Sequence, residues 1–190
     1  MMQIKKEYVP SGIPIWMGKN IEVAQGGFTL DDSDFATESL VIPAGTPIGF
    51  DESTRTAKVA KIAVAQANAA NNATDLKVLK GHQLKVGMSV KSGSAAAKAI
   101  TAIDTTNADY DLVSVATTLG VAVTAGDAIY VNDEGYTNLK GLLYEDAIVD
   151  SNGIASIAVV LRGTVYARRI VPVPTSVKAT LPLIIFSQSF

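Results

Sequence analysis

A mainly β fold, a small-residue-rich β-sandwich or barrel base with a second small β-barrel inserted into it, is what this chain predicts, on three observations. The first is Val41–Ile62, which reads as strand, Gly/Pro corner, strand, polar turn, strand: Ile48 and Phe50 alternate with Pro47 and Gly49, and Asp51–Thr54 supplies turn chemistry. The second is Gly153–Arg169, where Ala155, Ile157, Val159 and Leu161 fall on one face and Ile154, Ala158 and Val160 on the other. A strand apolar on both faces is central, and it is the expected partner of the first stretch. The third is Ala63–Thr74, an Ala/Asn-rich stretch without hydrophobic pattern, after which a new set of short strands at hairpin spacing begins.

Taken in order, Met1–Gly27 has no period, because Pro10, Gly12, Pro14, Gly18, Gly26 and Gly27 interrupt every run. Tyr8, Val9, Ile13, Ile15 and Trp16 are nonetheless too apolar for a free tail, so residues 1–27 read as an extended arm lying on a surface: its own sheet, a neighbouring subunit or a partner's strand edge. Asp31, Asp32 and Asp34 precede one expected helical turn capped by Asp32 or Ser33; the spacing and closing glutamate of a calcium loop are missing.

Residues 28–73 with 132–190 are the expected base, and 74–131 the insert. Within the insert Leu84, Val86, Met88 and Val90 alternate with polar or small residues, Ser92–Ala97 is a small-residue loop, Asp104–Asp109 a turn and Tyr110–Val115 a strand. An echo links Ala44-Gly45-x-x-Ile48 to Ala125-Gly126-x-x-Ile129, each with an acidic turn after it, a common hairpin recipe. Asn152-Gly153 signals a hairpin before the long strand. The end, with Pro172, Pro174 and Pro182 and the apolar run Leu183–Phe186, asks for a surface to lie on.

Composition narrows function. At 190 residues the chain can bury roughly 70% of its unfolded surface without staples. Sixteen Lys and Arg, scattered, against eighteen Asp and Glu argue against nucleic-acid binding. No apolar run approaches the roughly 20 residues of a membrane helix, and the N-terminus has no apolar signal core, so a soluble protein is expected. Absent cysteine removes thiol chemistry and cysteine zinc sites. No metal or cofactor site is expected: the single histidine, His82, has no cysteine beside it and reads as structural.

Catalytic patterns are equally thin. No G-x-S-x-G elbow accompanies His82, no phosphate-binding glycine loop is present, and Asp104, Asp109 and Asp111, weighed as the paired carboxylates of a hydrolase, read as a turn and a solvated face. No catalytic residue is therefore assigned. Arg162, Arg168 and Arg169 suit either an acidic partner or a solvated strand end. An alternative use of the insert is a glycan-binding module, with Tyr110, Tyr130 and Tyr136 lining an aromatic site for a host-surface glycan.

Across residues about 28–65 and 136–170 the chain resembles the head decoration proteins of tailed bacteriophages, the group that includes the lambda decoration protein, and the head fibre proteins of some phages and prophages. The shared features are an irregular N-terminal arm, Pro43-Ala44-Gly45-Thr46-Pro47-Ile48-Gly49 leading into Asp51-Glu52 and Ala60-Lys61-Ile62-Ala63, and later Gly141-Leu142-Leu143 with Gly153–Tyr166. The resemblance implies a non-catalytic virion structural protein, made in the bacterial host cytoplasm. It would bind the phage major capsid protein on the assembled head, commonly as a homotrimer, with the arm adding to capsid strands. On that reading Tyr8, Ile13, Ile15, Trp16, Arg168 and Arg169 are the expected partner-binding residues. Leu76–Val131 departs from a minimal decoration protein and leaves room for an outward-facing module.

Overall fold

The computed structural model describes residues 14–31, 40–149 and 156–189. Before the insertion the chain forms β1 (Trp16–Val23), β2 (Phe28–Leu30), β3 (Leu40–Ile42), β4 (Pro47–Asp51) and β5 (Thr56–Val59). It then forms β6 (Ile62–Val64), β7 (Asp75–Leu79), β8 (Ser89–Lys91), β9 (Lys98–Asp104), β10 (Tyr110–Val115) and β11 (Ala128–Val131). The return comprises α1 (Glu134–Thr137), β12 (Leu139–Leu143), β13 (Ala147–Val149), β14 (Ser156–Ile157), β15 (Val159–Tyr166), α2 (Thr175–Ala179) and β16 (Ile184–Ser187). The protein is mainly β, as its sequence predicts.

The base sheet has the order β1-β15-β12-β4-β5-β2-β14, with β16 parallel to β15. Because β14 runs into β15 through Ala158 alone, the sheet curls around a core of Phe28, Leu30, Ile48, Phe50, Val59, Leu143 and Val159. The ribbon β3–β13 lies against this core, contributing Ile42 and Val149. The second sheet has the order β6-β11-β8-β9-β10-β7. Its two edges meet at the Ala65↔Val78 bridge, where the Gln66 amide donates to the Lys77 carbonyl at 2.8 Å, so the insert is barrel-like.

Period-two alternation explains how the barrel sits on the base. In β11, Ile129 points into the barrel core while Ala128 and Tyr130 join a third cluster with Leu142, Val165, Val177, Leu181 and Ile184 of the base. In β6, Ala63 and Ile62 divide in the same way. The two chain crossings that connect barrel and base are tied together: Val131 N donates to Lys61 O at 3.0 Å, and the buried Lys61 ammonium pairs with Asp133, which also caps α1.

The sequence echo has a conformational basis. In Pro43–Thr46 and Thr124–Asp127 the fourth amide donates to the first carbonyl, and the third residue, Gly45 or Gly126, has φ of 82° or 95°. That is a turn requiring glycine at its third position, and each launches the strand that follows.

Several expectations are corrected. Trp16–Val23, within the expected arm, lies on the chain's own sheet as the regular edge strand β1, paired antiparallel with β15; Gly18, at φ 75°, hides its alternation. The central strand β15 pairs with β1, β12 and β16, and β12 separates it from β4. Ile62–Val64, placed in the base by sequence, pairs with β11 in the second sheet. Of the alternating run from Leu84, only Ser89–Lys91 forms a strand, because Gly87 at φ 91° turns the chain just before it. The helical turn at Asp32 or Ser33 and the Asn152-Gly153 hairpin lie outside the described residues.

Candidate partner-binding surface

Of the six residues singled out as partner-binding, the structure brings three together. The Tyr166 amide donates to Ile15 O at 2.8 Å, Arg169 Nη1 donates to Pro14 O at 2.8 Å, and the Arg169 guanidinium lies 4.2 Å from the centre of the Tyr166 ring. Ile15 packs beside the Pro43–Thr46 turn, so close that a side chain on Gly45 would strike Ile170 and touch Ile15. Trp16 follows on β1; its indole N–H donates to Tyr144 O at 2.8 Å and its ring stacks on Tyr144 at 6.2 Å. These groups pin the entry of the chain into β1 against the end of β15, and their hydrogen bonds are made within the chain. Tyr8 and Ile13 lie outside the described residues.

Arg168, adjacent to Arg169 in sequence, lines a different feature, a cavity of about 420 Å³ between barrel and base that also meets Leu79, Pro172 and Lys178. Arg162 stands opposite Glu22 across the β1–β15 pair, an opposite-charge neighbour on the sheet.

Two apolar surfaces that the sequence reading did not single out residue by residue stand out on the base. On the β3–β13 ribbon, Val41 and Ile148 face each other directly across the pair and are 53% and 65% exposed, while the intervening positions Ile42 and Val149 are buried. Alternation alone places them outward; what the sequence lacked was the pairing that puts them side by side. On β16, Ile184 is buried while Leu183 and Ile185 are 60% and 64% exposed. The parallel register, with Gly163 N donating to Leu183 O and Ala167 N to Ser187 O, turns the backbone groups of Ile184 and Phe186 away from β15. The apolar terminus, expected to lie on a surface, thus divides: Val173, Val177, Leu181 and Ile184 fill the base–barrel interface, and Leu183 and Ile185 remain outside.

The residues weighed for chemistry have structural occupations. Asp104 Oδ1 accepts from Thr106 N at 2.9 Å, which holds its carboxyl below the usual range, and Asp109 N donates to Asn107 Oδ1. Asp111 alternates inward on β10, where it accepts from Lys80 Nζ at 2.6 Å and approaches His82 Nε2 at 3.3 Å. That last contact has ion-pair distance but poor hydrogen-bond direction, since His82 Nε2 makes no directed bond. His82 Nδ1 accepts from Leu84 N at 3.2 Å, and burial, ahead of the opposing pull of Asp111, pushes its pKa below the ordinary value of 6.5. Among the described residues no group of three or more His, Cys, Asp or Glu is placed to hold a metal ion.

Tyr130 and Tyr136 stack at 3.7 Å with Lys91 5.8 Å from the Tyr130 ring, whereas Tyr110 is on β10, three strands away, with Lys77 over its ring. The three tyrosines therefore do not form one aromatic site. Comparison of the chain with protein-family models, curated proteins and solved structures found no match.

Proposed function

We propose that this protein is a non-catalytic structural component of a tailed-phage or prophage virion, a capsid decoration or head fibre protein whose base binds the assembled head. The base contacts the major capsid protein and other copies of itself, as a homotrimer, and the inserted barrel projects from it. The reading rests on the sequence resemblance, and one structural observation supports it most: Val41 and Ile148, exposed and directly paired on a ribbon whose Ile42, Ala147 and Val149 are buried, make a paired apolar contact surface. The exposed Leu183 and Ile185 at β16 add a second apolar surface.

Purified particles from the host that carries the gene provide the test. The protein is expected in washed virions at a fixed ratio to the major capsid protein, and its absence from virions while it is abundant in the lysate would overturn the proposal.

A further inference from the structure

We propose that the cavity where barrel meets base, bounded by Ser92, Ser94, Asp127, Tyr136 and Ser176, binds a neutral saccharide. It goes beyond the capsid reading and does not depend on it. The cavity is about 350 Å³, at the small end of ligand-pocket sizes of roughly 300–1,000 Å³. Its walls come from five separate segments: the β8–β9 loop, Val121-Ala122, Asp127 running into β11, Tyr136 of α1, and the first turn of α2. Both halves of the molecule are needed to form it.

The chemistry of the lining selects the ligand class. Its polar groups are the hydroxyls of Ser92, Ser94, Ser176 and the two tyrosines, together with one carboxylate, Asp127, which is held by Thr124 N at 2.8 Å. Hydroxyls both donate and accept, so they match a polyol whose own groups do the same. No lysine or arginine lines the cavity, so a phosphate or carboxylate ligand would face Asp127 with no lining cation to balance it. A purely apolar ligand would leave the hydroxyls desolvated and unpaired. Val121, Ala122 and Ala128 give the apolar wall that the C–H face of a sugar ring requires. The Tyr130 ring lies between Tyr136 and Lys91, so this aromatic pair contributes hydroxyls more than open faces. The Tyr136 phenol, raised to about 12 by burial first and Tyr130 second, stays a neutral donor through the physiological range.

Calorimetry and saturation-transfer NMR on the full chain test this with lactose, maltotriose, chitotriose and the acidic trigalacturonic acid. At least one neutral sugar is expected to bind, with a Kd on the order of millimolar, and the acidic one more weakly. Ser176 is exposed, so Ser176→Trp should fill the cavity and weaken binding at least about tenfold with unchanged melting temperature. Tyr136→Phe should weaken it about threefold or more. If Ser176→Trp does not fold, Ser94→Trp, at another exposed wall position, gives the same reading. No binding by any neutral sugar, binding that survives the tryptophan, or preference for trigalacturonic acid would each overturn the proposal. None of these outcomes bears on virion incorporation.

Discussion

His82 needs to be neutral to keep its place. Its Nδ1 accepts the Leu84 amide, so a second proton there would set donor against donor in the turn that seats Gly81 on Val171. Burial lowers its folded pKa below 6.5. Above that pH neither the folded nor the unfolded chain carries the proton; below it only the unfolded chain does, so stability is fully present above about 6.5 and falls with acid. Asp51 and Asp104, whose pKa values are lowered by hydrogen bonds from Ser53 and Thr106, act only in the lower carboxylate window. Melting temperature should therefore decline as pH falls below about 6.5, and His82→Asn, whose Oδ1 can accept the Leu84 amide, should flatten that decline. An unchanged slope in the variant would contradict the assignment. At the neck, Asp133→Asn keeps a cap for α1 but takes the charged carboxylate from the buried Lys61 ammonium, and should cost about 3 kcal/mol in denaturant unfolding. Lys61→Met, which removes the buried charge itself, should cost clearly less.

Elements meet closely where glycine allows it. A side chain on Gly49 would come within 2.6 Å of Gly135 O, and one on Gly135 within 2.7 Å of Val59 O, so α1 rests directly on the β4–β5 hairpin. Gly49→Ala should lower stability by about 1–3 kcal/mol, read as a shifted denaturation midpoint with unchanged slope. The β4–β5 hairpin was legible because Ile48 and Phe50 alternate and Asp51–Thr54 carries turn residues; β10 was legible for the same reason. Strand β1 was not, since Gly18 and the bulges near Glu22 break its period and only pairing with β15 makes it a strand. The five residues of β12, Leu139–Leu143, were legible as an element of the returning base, but not its place between β4 and β15. Likewise Asp111 was read as a solvated carboxylate because nothing local to it reveals that Lys80 and His82 converge on it from the bend after β7.

At the scale of the molecule, a curled base and a barrel share one interface cluster and two tied crossings, a build suited to carrying a module at a fixed attitude. Self-association should appear by light scattering as a trimer of about 60 kDa from chains of 19.9 kDa. Ile185→Asp on the β16 surface should shift it toward monomer while changing folding stability by no more than about 0.5 kcal/mol, because Ile185 is already solvent-facing. For the proposed capsid role the most direct test is co-sedimentation with purified heads, lacking the protein, of a phage or prophage whose genome carries its gene. Saturable binding to heads, abolished by Ile148→Asp in a chain that melts normally, is the expected result. A well-folded wild-type chain that stays in the supernatant at every concentration would contradict the account.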